Sequence, residues 1–150
     1  MEIVLPKQGL INAQYAQKKP ELRRLLADTD CYIDGTHYII KAGFWWDGKS
    51  APKFSWGVVG GPFSGKTYIP ALWHDILFGT HLFNQNKCDK IKLEMDRLCG
   101  VNYALRCAEY YSLRAFGRFA YNKVTQDEIV GCSKHLFING EQFKPGPLFV

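Results

Sequence analysis

The sequence predicts an α+β protein: an antiparallel helical hairpin and a third helix, joined to small antiparallel β-hairpins. Three observations carry that expectation. Two runs with helical spacing, Tyr68–Gly79 and Asn86–Cys99, flank a short polar turn. Two dipeptides that favour tight hairpin turns, Asp34-Gly35 and Asn139-Gly140, each lie between short strand-like runs. Strands and helices do not alternate along the chain, as a parallel sheet requires.

Taken in order, residues 1–30 hold a polar opening and then a short helix expected from Pro20 to Ala27. Pro20 suits its first turn, and Leu22, Leu25 and Leu26 give it a narrow apolar stripe. Lys18, Lys19, Arg23 and Arg24 make this end basic, as a solvated face. Cys31–Ile33 and Thr36–Ile40 form the first hairpin, with His37 a strand residue beside its turn. Gly43-Phe44-Trp45-Trp46 leads into the polar turn Asp47–Pro52, where Asp47 and Ser50 can accept hydrogen bonds from backbone donors. That turn is either structural or part of a site.

Residues 53–67 are glycine-rich, and Gly60–Thr67 matches the phosphate-binding pattern GxxxxGK[ST] letter for letter. In such a loop backbone N–H groups cradle phosphates and Lys66 would neutralise charge. Three features oppose a nucleotide site. Pro70 falls three residues after Thr67, where it fits only the start of a helix. No later buried strand ends in an acid to hold magnesium. The strand–helix alternation of a parallel sheet is missing as well. Nucleotide or phosphate binding by this loop is kept as a minor alternative.

The helical hairpin carries the densest chemistry. Ile69, Leu72, Trp73, Ile76, Leu77 and Phe78 surround His74 and Asp75 with apolar neighbours, and Gly79 ends the run. A helix apolar around most of its circumference is buried, and an unpaired buried polar group costs roughly 1–3 kcal/mol. Both residues therefore need partners. On the second helix Cys88, Ile91, Met95 and Leu98 make an inner stripe, with Asp89 at its edge. At about 1.5 Å rise per residue, Asp89 stands level with His74 in an antiparallel hairpin. A carboxylate beside an imidazole fixes its tautomer and prepares a general base, and Asp75 is left to ligate a hard cation such as calcium. The alternative is a structural His–Asp bond that closes the helix pair.

The third helix is expected over residues 101–122. Ala104, Cys107, Ala108, Tyr111 and Ala115 are assigned to its inner side, while Arg106, Tyr110, Arg114 and Arg118 recur as a basic stripe. With Lys66, these arginines make either a solvated face or a contact to an anionic surface or phosphate. The tail, residues 123–150, repeats hairpin grammar and ends in Pro145 and Pro147.

Length and composition bound these readings. At 150 residues the chain is expected to be one domain with a sizeable core. Its 47% hydrophobic and 22% charged residues are ordinary for a globular protein. No apolar run approaches the roughly 20 residues of a membrane span, and the N-terminus lacks the pattern of a signal peptide. Five cysteines without a CxxC pair argue for reduced thiols rather than a disulfide framework or a zinc knuckle. A net charge of +5 allows attraction to anionic lipid, nucleic acid or nucleotide and selects none; no DNA readout is expected.

Ile40-x-Ala-Gly-Phe44, the Asp47-Gly-x-Ser50-x-Pro52 turn, Gly61-Pro62, Ala71-x-x-His74-Asp75, Asp89 and Phe116-Gly117 occur in one ordered set. Over residues 38–118 the chain resembles a family of phage and prophage proteins, domain-of-unknown-function family 1353. That resemblance implies a phage origin, in a host cytoplasm or a virion, and assigns no activity. More distantly the same core resembles the phospholipase A2 superfamily, in which a glycine-containing calcium loop precedes His-Asp on one helix and an Asp on its antiparallel partner. This second resemblance implies that His74 activates water and Asp89 orients it. It makes Asp75 a calcium ligand, with loop carbonyls around Gly57 and Gly61 completing the site. Phe78 departs from the pattern, because these enzymes generally place a tyrosine four residues after the histidine. Two classes of function follow: a calcium-assisted hydrolase of phospholipid esters, or a non-catalytic virion or anti-host-defence protein that binds a host or phage partner.

Overall fold

The computed structural model describes residues 1–5, 13–16, 19–47 and 65–147. Along them run the strands β1 (Ile3–Val4), β2 (Ala13–Ala16), β3 (Lys19–Leu25), β4 (Thr29–Ile33), β5 (Thr36–Ile40) and β6 (Trp45–Trp46). A 3₁₀ turn, Gly65–Thr67, opens the helical part: α1 (Tyr68–Gly79), α2 (Gln85–Leu98), α3 (Tyr103–Lys123) and α4 (Gln126–Ser133). The strands β7 (Leu136–Ile138) and β8 (Glu141–Gln142) follow. The class is α+β, as expected.

Asp34 and Gly35 turn the chain with positive φ at both positions, 48° and 76°. This geometry matches the twist of a two-residue hairpin. It sets β4 against β5 in the register Cys31–Tyr38 and Tyr32–His37. Asn139 and Gly140, at φ 50° and 87°, do the same for β7 and β8. Strand β7 then pairs with β5, so the tail completes an antiparallel sheet of order β1-β4-β5-β7-β8. A smaller sheet has the order β2-β3-β6.

The helix expected over Pro20–Ala27 is instead strand β3, paired with β2 and with Trp45–Trp46 of β6. Its burial shows why: Arg23 and Leu25 are buried while Arg24 and Leu26 are exposed, an alternation of period two. A short isolated helix is marginal on its own, so sheet pairing decides the outcome.

Each helix starts on a polar side chain or an early proline. Pro70 lies in the first turn of α1. Asn84 accepts from Lys87 N at 2.9 Å, and Asn102 accepts from Leu105 N at 2.9 Å. Thr125 and Glu128 close a reciprocal capping box on α4. The core gathers Cys31, Ile33, Ile40 and Leu136 of the larger sheet with Leu72, Trp73, Ile76 and Leu77 of α1. Cys88, Ile91 and Met95 of α2 complete it. Leu98, expected on that stripe, is 42% exposed at the end of α2. All five cysteines are free thiols. No helix among the described residues is long and apolar enough to cross a membrane.

Helix α3 lies outside the core and contacts α2. Its rotation differs from the one expected. Ala104, Tyr111 and Ala115 face solvent, Cys107 and Ala108 are half-buried, and the buried residues are Glu109 and Leu113. The physical reason is on α2, where buried Lys92 requires counter-charges and Glu109 supplies one.

Candidate active site

Helix α2 buries two stripes. One is apolar and joins the core; the other is polar, made of Asp89, Lys92 and Asp96, three and four residues apart. The polar stripe meets His74 on one side and α3 on the other.

His74 is 2% exposed and Asp89 1%. The ring Nε2 stands 2.9 Å from Asp89 Oδ1. An ionised carboxylate only accepts, so Nε2 carries the proton and donates it. Asp89, expected at the edge of the inner stripe, is instead the most enclosed group of the site. Its other oxygen accepts from Gln85 Nε2 and from Arg114 Nη1, both at 3.3 Å. Gln85 also donates to the Leu113 carbonyl at 3.2 Å. A Cβ at position 117 would stand 2.9 Å from Gln85 Nε2, so Gly117 lets this amide reach between the helices.

On its other side, His74 Nδ1 lies 3.9 Å from Asp75 Oδ1, an electrostatic contact rather than a hydrogen bond. Burial pushes the His74 pKa down, but the carboxyl groups of Asp75 and Asp89 outweigh it and hold the ring above its ordinary value. Asp75 is raised as well. Burial first, then the nearby charge and side chain of Asp47, push its pKa up to about 8, against the pull of His74. The Asp75 side chain is 12% exposed and Asp47 is exposed. The polar set therefore runs outward from enclosed Asp89 through His74 and Asp75 to solvent at Asp47.

Beside it lies a second buried cluster that sequence reasoning missed. Lys92 Nζ donates to Asp96 Oδ2 at 2.7 Å and to Glu109 Oε2 at 2.6 Å. Burial presses the Lys92 pKa down, and the two carboxylates more than reverse it. The signal was available: Lys92 and Asp96 share the helical phase of Asp89, and Glu109 is the lone acid of α3.

The structure thus brings His74, Asp75, Asp89, Asp47 and Arg114 together. The other expected contacts separate. Lys66 Nζ donates to the Gly100 carbonyl at 3.2 Å, where α2 ends. Arg106 Nη1 donates to the Val101 carbonyl at 3.2 Å and its guanidinium lies over Tyr103. Arg118 is exposed. Ser50, Gly57, Gly61 and the Gly60–Ser64 part of the phosphate-loop pattern lie outside the described residues. His37, given little weight as a ligand, bonds Asp30 through Nε2 at 2.8 Å and stacks on Tyr32. Phe78 packs on the His74 ring at 5.4 Å and on Tyr121 at 5.0 Å. Tyr121 spends its hydroxyl on the Phe83 carbonyl, not on Asp89.

No three His, Cys, Asp or Glu side chains among the described residues converge as a metal cage. Asp75 and Asp47 do offer two hard oxygen donors, close enough to raise the pKa of one of them.

A family model described as a protein of unknown function, DUF1353, matches residues 24–113. The match takes in β4, β5, α1 and α2 and reaches Leu113, so it covers every residue of the polar set except Arg114. No curated protein and no solved structure matches the chain.

Proposed function

The chain belongs to the DUF1353 family of unknown function, and within it we propose a calcium-assisted hydrolase of phospholipid acyl esters, of phospholipase A2-like chemistry and phage-encoded. The phage setting rests on the family resemblance alone. The observation that carries the chemistry is the His74–Asp89 bond of 2.9 Å across paired helices, with the opposite ring nitrogen turned to Asp75.

In this reading Asp89, held by Gln85 and Arg114, fixes the tautomer that leaves Nδ1 as the proton acceptor. Nδ1 takes the proton of an attacking water. Asp75 and Asp47 would hold calcium, which would supply polarisation of the ester carbonyl.

One observation favours a second reading. His74 is nearly inaccessible and both its nitrogens face carboxylates, as in a buried ion cluster that only ties helices together. The chain is then a non-catalytic virion or anti-defence binding protein. Release of fatty acid from phosphatidylglycerol vesicles distinguishes the two. The hydrolase requires calcium-dependent release that falls at least about a hundredfold in His74→Asn with folding retained. Absence of release from the wild type at any calcium level leaves the structural cluster.

A further inference from the structure

Helix α3 turns outward a face that belongs neither to the core nor to the polar set. Tyr103, Tyr111 and Phe119 are 71%, 69% and 76% exposed. At about 100° per residue, Tyr111, Ala115, Ala108 and Phe119 form one apolar arc. Exposed Arg118 borders it on one side and exposed Lys123 on the other. Glu109, the single acid of the helix, points the opposite way into Lys92. The next acids, Asp127 and Glu128, come after the helix ends, and Glu128 is turned onto Thr125.

An apolar arc with aromatic side chains, flanked by cations and free of exposed acid, is complementary to a surface that is apolar below and anionic above. A second copy brings the same cations and no acid, so the face is not complementary to itself. We propose that this face of α3 docks on an anionic phospholipid bilayer, with Tyr111 and Phe119 at the headgroup boundary and Arg118 and Lys123 on the phosphates. The docking stands on the surface alone; as the route by which the hydrolase meets its substrate, it rests on the reading above.

The test is co-sedimentation of the full chain with vesicles of phosphatidylcholine, with and without phosphatidylglycerol, in the presence of a calcium chelator. The wild type binds the anionic vesicles, releases them as salt rises, and leaves the neutral ones. Arg118→Glu and Phe119→Ser each weaken binding about tenfold with unchanged circular dichroism. Equal binding to both vesicle types, or indifference to both substitutions, overturns the proposal. So does a dimer in sedimentation equilibrium that Phe119→Ser dissolves, since the face then serves a second copy. Chelation removes turnover from the measurement. Anionic binding without any hydrolysis in calcium sinks the hydrolase reading alone, and hydrolysis without anionic binding sinks the docking alone.

Discussion

Asp75 concentrates the electrostatic tension of the molecule. Its pKa is raised from 3.8 to about 8, so the folded state holds this proton more tightly than the unfolded chain. Stability therefore falls as pH rises between roughly 4 and 8. His74 acts in the same direction. Its raised pKa contributes stability that is complete below the ordinary value of 6.5 and is lost as pH climbs through the folded value. Thermal melts across this range should show the wild type losing Tm toward the alkaline side. Asp75→Asn removes the carboxyl that resists ionisation, so its profile is flatter and its alkaline Tm higher by a few degrees. An unchanged slope in that variant would place the pH dependence elsewhere.

At the scale of elements, α2 decides the helical packing. Its apolar stripe sits on α1 and the sheet, while Lys92 binds α3 through Glu109. Removing the ammonium from between two buried carboxylates is costly, because their charge stays behind. Lys92→Met should destabilise by about 3–5 kcal/mol, read as a lower urea midpoint, whereas a change under about 1 kcal/mol would mean that the cluster is solvated. This cluster explains what sequence could and could not reveal. Spacing located α1, α2 and α3, and the Asp-Gly and Asn-Gly turns located both hairpins. The rotation of α3 was not legible, since Ala104, Ala108 and Ala115 look like core until a buried lysine calls for Glu109. The helix α4 was missed although Thr125 and Glu128 carry a capping signature, because its eight residues show too little periodicity.

The whole molecule is a layered arrangement in which a sheet supports α1, α1 and α2 carry the polar set, and α3 closes it from outside. The pairing of His74 with Asp89 was legible because antiparallel helices bring residues of equal height together. The raised pKa of Asp75 was not, since beyond burial it depends on Asp47, which follows β6 and lies far away in sequence. The nearness of Asp47 is also what the proposed cation site at the surface end of the cluster rests on. The central claim is that Asp75 and Asp47 hold calcium beside His74, and calorimetric titration with calcium tests it most directly. Saturable heat in the wild type that disappears in Asp75→Asn is the expected result. The absence of binding heat in the wild type, or equal heat in both proteins, would contradict it and leave the His–Asp pair as scaffold.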